Sequence, residues 1–96
     1  MVMSLNGSGA NISASLSTAP PRAVRAWFAD GFVWIELSDD RRIGFRPDKC
    51  PRLRNAPIEL ISLVQVEARG RALRWEELDE DLTIDGIMAG RWPGND

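Results

Sequence analysis

Carboxylate side chains are concentrated in one stretch near the end of the chain, where they could bind a cation or exchange protons. The stretch contains Glu76, Glu77, Asp79, Glu80 and Asp81, and Asp85 follows closely. Paired carboxylates perform acid–base chemistry when burial separates their pKa values, but the spacing does not match the calcium loop of an EF-hand. A metal or hydrolytic site at Glu76–Asp85 is one hypothesis. We prefer a solvated loop whose negative charge favours the start of the last helix.

Basic side chains cluster in the middle of the chain, between residues 41 and 54. This basic patch consists of Arg41, Arg42, Arg46, Lys49, Arg52 and Arg54. Because a guanidinium group can hold two phosphate oxygens at once, the patch could follow a nucleic-acid backbone. We expect no stacking platform for single-stranded bases within it. The preferred interpretation is a solvated surface that partly neutralises the carboxylate stretch, in the same molecule or across a dimer.

The scarcity of histidine and cysteine excludes several kinds of active site. The chain has no histidine and a single cysteine, Cys50. Without histidine the commonest general base and metal ligand is missing, which excludes Ser-His-Asp and Cys-His sites and argues against zinc. Cys50 between Lys49 and Pro51 could be a reactive thiol, but we prefer a buried cysteine. We therefore expect a non-enzymatic protein with no catalytic residue, cofactor or bound metal.

Length and charge predict one domain with no general affinity for polyanions. Ninety-six residues suffice for a single domain, and 14 acids against 12 bases give a net charge of −2. No apolar run could cross a bilayer, and the first residues lack a secretory signal pattern, so we expect a cytoplasmic protein that does not bind membranes. We predict a disordered tail at 1–21, one domain at 22–92 and a short C-terminal tail at 93–96.

A β-hairpin is predicted around Asp30-Gly31, because this dipeptide favours a type I′ turn. A two-residue loop pairs Arg25 with Glu36 and Trp27 with Trp34 on one side, which we call the outer face. The opposite side is wholly apolar and must face the core: Val24, Ala26, Phe28, Val33, Ile35 and Leu37.

The outer face is the candidate partner-binding surface, because tryptophan and arginine dominate protein–protein hot spots. Its candidate residues are Trp27, Phe32, Trp34, Arg25 and Glu36. The alternative is that the helices or the N-terminal tail cover these rings, which would make them a second small core. Both interpretations remain open.

A third strand is predicted after the polar residues that follow Leu37. A three-residue loop, Asp39 to Arg41, pairs Leu37 with Ile43 and Ile35 with Phe45, and burial favours this over a two-residue loop at Asp39-Asp40. Gly44 would then lie on the outer face beside Glu36. The missing side chain could leave room for an indole or mark a bulge.

Short helices and a second hairpin complete the predicted fold. Pro51 opens a helical turn with Leu53 inward, and Asn55 is a candidate N-cap for a helix that carries Ile58, Leu60 and Ile61. A hairpin at Arg69-Gly70 pairs Val66 with Leu73, Val64 with Trp75 and Gln65 with Arg74. A last helix runs between an N-cap at Thr83 and Gly90. The predicted fold class is α+β: a small antiparallel sheet built from two hairpin modules, with two or three short helices.

The order of these elements resembles the DUF2442 family. The resemblance covers Val24 to Pro47, Leu53 to Ala56 and Gly70 to Gly90, and its most specific part is Trp75 followed by Leu78, Asp79, Glu80 and Asp81. Arg74 stands where many members have histidine. The resemblance implies a small prokaryotic α+β domain of no established activity.

The resemblance also implies roles and partners. Trp75, Leu78, Asp79 and Asp81 would form a structural motif, in which the two aspartates accept backbone N–H bonds that end a strand and start the helix. Some relatives are fused to a helix-turn-helix domain, and others are encoded beside a second small domain in arrangements that look like toxin–antitoxin pairs. Our leading hypothesis is a protein-interaction module that forms a homo-oligomer or binds a neighbouring gene's product. Nucleic-acid binding through the basic patch is the first alternative.

Overall fold

The computed structural model describes residues 20–93, which form two three-stranded antiparallel sheets and short helices. The first sheet contains β1 (Ala23–Ala29), β2 (Phe32–Leu37) and β3 (Arg42–Phe45) in that order, and the second contains β4 (Gln65–Glu67), β5 (Ala72–Trp75) and β6 (Glu80–Thr83). The helices are α1 (Pro51–Arg54), α2 (Ile58–Ile61) and α3 (Ile84–Ala89), and single 3₁₀ turns span Pro47–Lys49, Ala68–Gly70 and Glu76–Leu78. The predicted α+β class is confirmed. The predicted tails lie outside the described residues, apart from Pro20, Pro21 and Pro93.

The first hairpin forms as its turn dipeptide predicts. Asp30 and Gly31 have φ values of 54° and 84°, as a type I′ turn requires, and the pairing confirms Arg25 with Glu36 and Trp27 with Trp34. The predicted inward position of Val24 is wrong, because a β-bulge between Ala23 and Arg25 turns Val24 outward and brings Ala23 opposite Leu37. Val24 is 58% exposed, so it does not belong to the core.

The register of β3 differs from the prediction by two residues. Ile35 pairs with Ile43, and Val33 pairs with Phe45. The loop is Ser38 to Asp40: Asp40 adopts a φ of 70° and donates its N–H to Leu37 O at 3.0 Å. A shift of two keeps every side chain on its predicted face, but it places Arg42 opposite Glu36 and Gly44 opposite Trp34.

The second hairpin keeps the predicted register and gains a strand that we did not predict. Gln65 pairs with Arg74 and Val66 pairs with Leu73, whereas Val64 lies before the start of β4. The carboxylate stretch was expected to be a solvated loop, but it makes a 3₁₀ turn and then β6, which pairs with β5. Alternate β6 residues point inward, so Glu80 and Leu82 are buried.

The core contains the inward side chains of both sheets and of the helices. Trp75 lies within it at 1% exposure, and its Nε1 donates to Ile61 O at 2.9 Å. The inward position of Leu53 in α1 is confirmed. Asn55 does not cap α2, because it ends α1 and the N-cap position of α2 is Pro57.

The last helix has the predicted ends. Thr83 Oγ1 accepts the N–H of Gly86 at 3.0 Å, and Gly90 follows the helix with a φ of 74°. The chain then returns toward the first sheet, where the ring of Trp92 lies 5.1 Å from that of Phe45. None of the helices in residues 20–93 is long and apolar enough to cross a membrane.

Candidate functional site

The outer face of the first sheet gathers arginine and aromatic side chains in rows across its three strands. The pairing places Arg25, Glu36 and Arg42 in one row and Trp27, Trp34 and Gly44 in the next. Side chains of residues paired across antiparallel strands project on the same face. The register of β3 therefore adds Arg42 to Arg25, so that two arginines lie within contact distance of Trp27.

Trp27 lies beneath these two arginines. The guanidinium carbon of Arg25 is 4.4 Å from the ring centroid and that of Arg42 is 5.4 Å away, distances typical of cation–π contacts. Arg25 Nε also donates to Glu36 Oε1 at 3.0 Å, which orients its planar group. The Trp27 ring is thus in contact with two charged side chains, and part of its surface stays exposed to solvent.

Trp34 is positioned by a glycine and by a backbone oxygen. A Cβ built on Gly44 would lie 2.8 Å from Trp34 Cε3, so glycine is what lets the indole lie across the strand. Trp34 Nε1 donates to Ala29 O at 3.2 Å, and its ring lies 5.4 Å from that of Phe32. The predicted room for an indole is therefore confirmed, although Gly44 is opposite Trp34 rather than Glu36.

The three outer rings are separate from the hydrophobic core. Trp27, Phe32 and Trp34 are each half-buried, and they belong neither to the buried core nor to the side chains packed against it. Arg46, just after β3, places its guanidinium carbon 5.8 Å from the Phe32 ring. The outer face is consequently a surface of its own, built from aromatic rings with arginines over them.

The carboxylate stretch surrounds one arginine that the sequence analysis did not select. Arg74 donates to Glu76 Oε1 at 2.9 Å, to Asp81 Oδ1 at 2.9 Å and to Asp79 Oδ1 at 3.1 Å. These hydrogen bonds, chiefly the one to Glu76, raise the pKa of Arg74 above its ordinary value. The carboxylates of Asp79 and Asp81 thus accept from a side chain and not from the backbone N–H groups that we predicted. Residues 20–93 contain no group of acids arranged to hold a metal ion.

Arg52 ties α1 to the same stretch, beside two buried groups. Its Nη1 donates to Asp79 O at 2.7 Å, and its Nε lies 3.6 Å from Glu80 Oε1. Burial raises the pKa of Glu80, and the Arg52 charge opposes that shift. Burial also raises the pKa of Cys50 to about 11, so its thiol is protonated at neutral pH and the preferred buried interpretation is confirmed.

The basic patch does not act as one surface, because its members have separate neighbours. Arg41 bonds to Asp39 within its own loop, and Arg54 Nε donates to Asp48 O. Arg52 faces the carboxylate stretch, as the preferred neutralising interpretation predicts, whereas Arg42 and Arg46 lie over outer-face rings. The contacts of those two arginines with the rings were not predicted, because a register two residues off puts Arg42 and Arg46 opposite other residues of β2. Trp92 was also missed, since nothing local predicts where it packs.

The chain is similar to a known protein family over almost all of its described residues. A family model described as a protein of unknown function, DUF2442, matches residues 23–92. The chain belongs to the DUF2442 family. The resemblance drawn from the Trp75 motif and the order of elements is therefore confirmed.

Solved structures share the fold of this DUF2442 domain. A protein of unknown function from Rhodospirillum rubrum is similar at 31% identity and a TM-score of 0.72, over 75% of this chain and 89% of its own. An uncharacterised protein from Chromobacterium violaceum is similar at 25% identity and a TM-score of 0.65, over 73% of this chain and 66% of its own. No curated protein matches the chain. The family relation supports the fold of this DUF2442 domain and brings no activity with it.

Proposed function

We propose that this DUF2442 domain is a non-enzymatic protein-interaction module whose outer face binds the partner. The observation that carries the proposal is the arginine-covered aromatic surface of Trp27, Phe32 and Trp34, which the core does not use. Rings and guanidinium groups of this kind supply most of the energy of protein interfaces. Their mutual contacts order them before binding, which lowers the entropy lost on association.

The proposal includes the kind of partner and its setting. The partner is a second copy of the chain or the product of a neighbouring gene, in a toxin–antitoxin-like arrangement, and the setting is the cytoplasm of a prokaryote. A buried, protonated Cys50 suits a reducing compartment. The absence of catalysis is supported by Arg74, because three acids of the carboxylate stretch are engaged by its guanidinium group.

Co-purification of the tagged full chain from its host tests this function. The wild type should retain a specific protein, or a second copy by light scattering, and Trp27→Ala with Trp34→Ala should lose it. Leu63→Ala is the matched control, because Leu63 is an exposed apolar residue outside the outer face. A complex that survives the double tryptophan substitution, or a strict monomer that retains nothing, would contradict the proposal.

Single-stranded nucleic acid is the second candidate, and one observation favours it. Arg42 and Arg46 lie over Trp27 and Phe32, which combines phosphate-binding groups with rings on which bases can stack. The net charge of −2 argues against strong general attraction to a polyanion. Anisotropy with a labelled oligothymidine should then show binding that weakens steeply with salt and requires both arginines. The absence of binding at low salt would remove this candidate.

A further inference from the structure

The edge of β3 has backbone groups that no strand of residues 20–93 pairs. Leu37 N donates to Arg41 O at 2.8 Å, which marks these two residues as a hydrogen-bonded pair. Hydrogen-bonded and non-hydrogen-bonded pairs alternate along antiparallel strands. The pairs of Arg42 with Glu36 and of Gly44 with Trp34 are therefore non-hydrogen-bonded ones. The N–H and C=O groups of Arg42 and Gly44 consequently point away from β2, toward the open edge of the sheet.

An apolar cleft runs along the inner side of this edge. Its lining includes Ile43 and Phe45 from β3, Ile87 and Met88 from α3, Trp92, and the charged Arg41 just before β3. The cleft has a volume of about 310 Å³, and Gly44 contributes to it although it has no side chain, so the cleft reaches the strand backbone. Met88 is 41% exposed there.

The outer side of the same edge is basic. Arg42 and Arg46 are exposed at its two ends on the outer face. Residues of an added strand would alternate between the two sides of the sheet. One set would lie beside the arginines and the other over the apolar cleft.

We propose that β3 accepts an extended segment of a partner protein as a fourth strand, and that this segment alternates acidic with apolar residues. The proposal rests on the proposed protein-interaction function and names the chemistry of its partner. Main-chain hydrogen bonds to Arg42 and Gly44 supply affinity, and the arginines and the cleft select the alternating pattern. The apolar residues bury the exposed part of Met88, and the acidic ones pair with Arg42 and Arg46.

Charge argues against a second copy of this chain in that position. Antiparallel pairing of β3 with its own copy would bring Arg42 and Arg46 of both molecules to one edge. Like charges across neighbouring strands destabilise a sheet, and charged side chains on edge strands prevent self-pairing in natural proteins. Arg42 and Arg46 attract an acidic segment, so the complementary partner is a different protein.

Titration of the isotope-labelled full chain with a synthetic peptide of alternating glutamate and valine tests the proposal. We expect the amide resonances of Arg42 and Gly44 to shift and their amide hydrogens to become protected from exchange. The Met88 methyl resonance should also shift. Two control peptides should bind much more weakly: one has lysine in place of glutamate, and the other has the same composition in two blocks. Arg42→Glu with Arg46→Glu should weaken binding at least about tenfold, because rim charges control association with a charged partner.

Matched variants separate this charge effect from unfolding. Arg71→Glu makes the same charge change at an exposed site in the β4–β5 loop and should leave the affinity unchanged within about twofold. Met88→Glu changes the cleft without touching the outer-face rings, and it should also weaken peptide binding. The melting temperature of each variant shows whether it is folded.

Several results would overturn the proposal outright. They are an absence of shifts at Arg42 and Gly44, equal binding of the block peptide, and binding of oligothymidine but not of the acidic peptide. Shifts confined to the Trp27 and Trp34 indoles would also remove the edge site while leaving the proposed function in place. Loss of the natural complex in the tryptophan double variant but not in Met88→Glu would separate the two in the same way.

Discussion

On the first sheet Arg25 and Arg42 lie over the ring of Trp27, whereas on the second sheet Arg74 donates to three carboxylates. Both sheets have three antiparallel strands, of four to seven residues in the first sheet and of three or four in the second. A guanidinium group that lies over a ring still has N–H donors for a partner, but one surrounded by carboxylates has fewer to offer. This difference is the basis of the proposed function: the Arg74 guanidinium group is engaged within the fold, whereas Arg25 and Arg42 retain N–H donors for the proposed partner.

The largest expected effect on stability comes from comparing a tryptophan of the second sheet with one of the first. Trp75→Ala should lower the free energy of unfolding by about 3–5 kcal/mol, because it empties a core site and removes the hydrogen bond to Ile61 O. Trp27→Ala should cost about 1 kcal/mol, as for a half-buried surface residue. Urea denaturation measures both values. Equal losses would mean that the outer face is a second core.

Gly44→Ala tests whether the outer face depends on close contact. The new methyl group would lie 2.8 Å from Trp34 Cε3, so the indole must move. We expect a loss of about 1–3 kcal/mol, typical of overpacking. In a double-mutant cycle, Trp34→Ala should remove most of that loss. A loss that persists without the indole would assign the cost to the backbone of β3.

Arg74→Met tests the supporting role of the second sheet. Removing the guanidinium group leaves Glu76, Asp79 and Asp81 close together without a cation between them. The melting temperature should fall at low salt, and added salt should restore part of it by screening the repulsion. The same substitution at Arg25 should give a smaller and less salt-sensitive fall. A larger or more salt-sensitive fall in melting temperature for the Arg25 variant would contradict the supporting role of the second sheet.

A pH series tests Glu80, the buried acid of the second sheet. Its pKa is raised from 4.5, chiefly by burial, so the folded state binds its proton more tightly than the unfolded state does. Stability from this group is therefore complete at low pH and is lost as the pH rises above 4.5 through the raised pKa. Glu80→Gln should flatten that fall. Arg52→Gln should steepen it, since the opposing charge is removed; an unchanged slope in both variants would exclude the coupling.

The smallest expected effect concerns the contact of Arg25 with Trp27. A double-mutant cycle of Arg25→Gln and Trp27→Leu should give a coupling energy of about 0.5 kcal/mol, the value for an exposed cation–π pair. Thermal denaturation at two salt concentrations measures it. A coupling of zero would mean that the arginine is free of the ring and that the outer face is not ordered before binding.

The sequence was a good guide where structure is decided by neighbours along the chain. Asp30-Gly31 and the alternation on both sides of it predict the pairing of Trp27 with Trp34, because a two-residue turn leaves one register. The ends of α3 follow from Thr83 and Gly90 for the same local reason. The bulge at Val24 was not predicted by the local pattern; beside it, the backbone of Ala23 packs closely on the second hairpin, where a Cβ on Gly70 would lie 2.6 Å from Ala23 O.

The remaining errors share a cause. β6 was missed because a run of acids hides a two-residue alternation, and the buried Glu80 lies beside Arg52 from the distant α1. The carboxylates of Asp79 and Asp81 were wrongly assigned to backbone groups, because the unpredicted pairing of β6 with β5 is what places Arg74 beside them. Each of these contacts joins residues that the chain brings together only after packing.

The sequence by itself determined the two faces of the first hairpin, the family and the α+β class, because turn chemistry and alternation act over a few residues. Only the tertiary structure decided what surrounds the outer face and the carboxylates. The loop at Ser38–Asp40 sets the register that brings Arg42 over Trp27 and Gly44 under Trp34. The strand pairing of β5 with β6 places Arg74 among the acids, because antiparallel neighbours project side chains on one face.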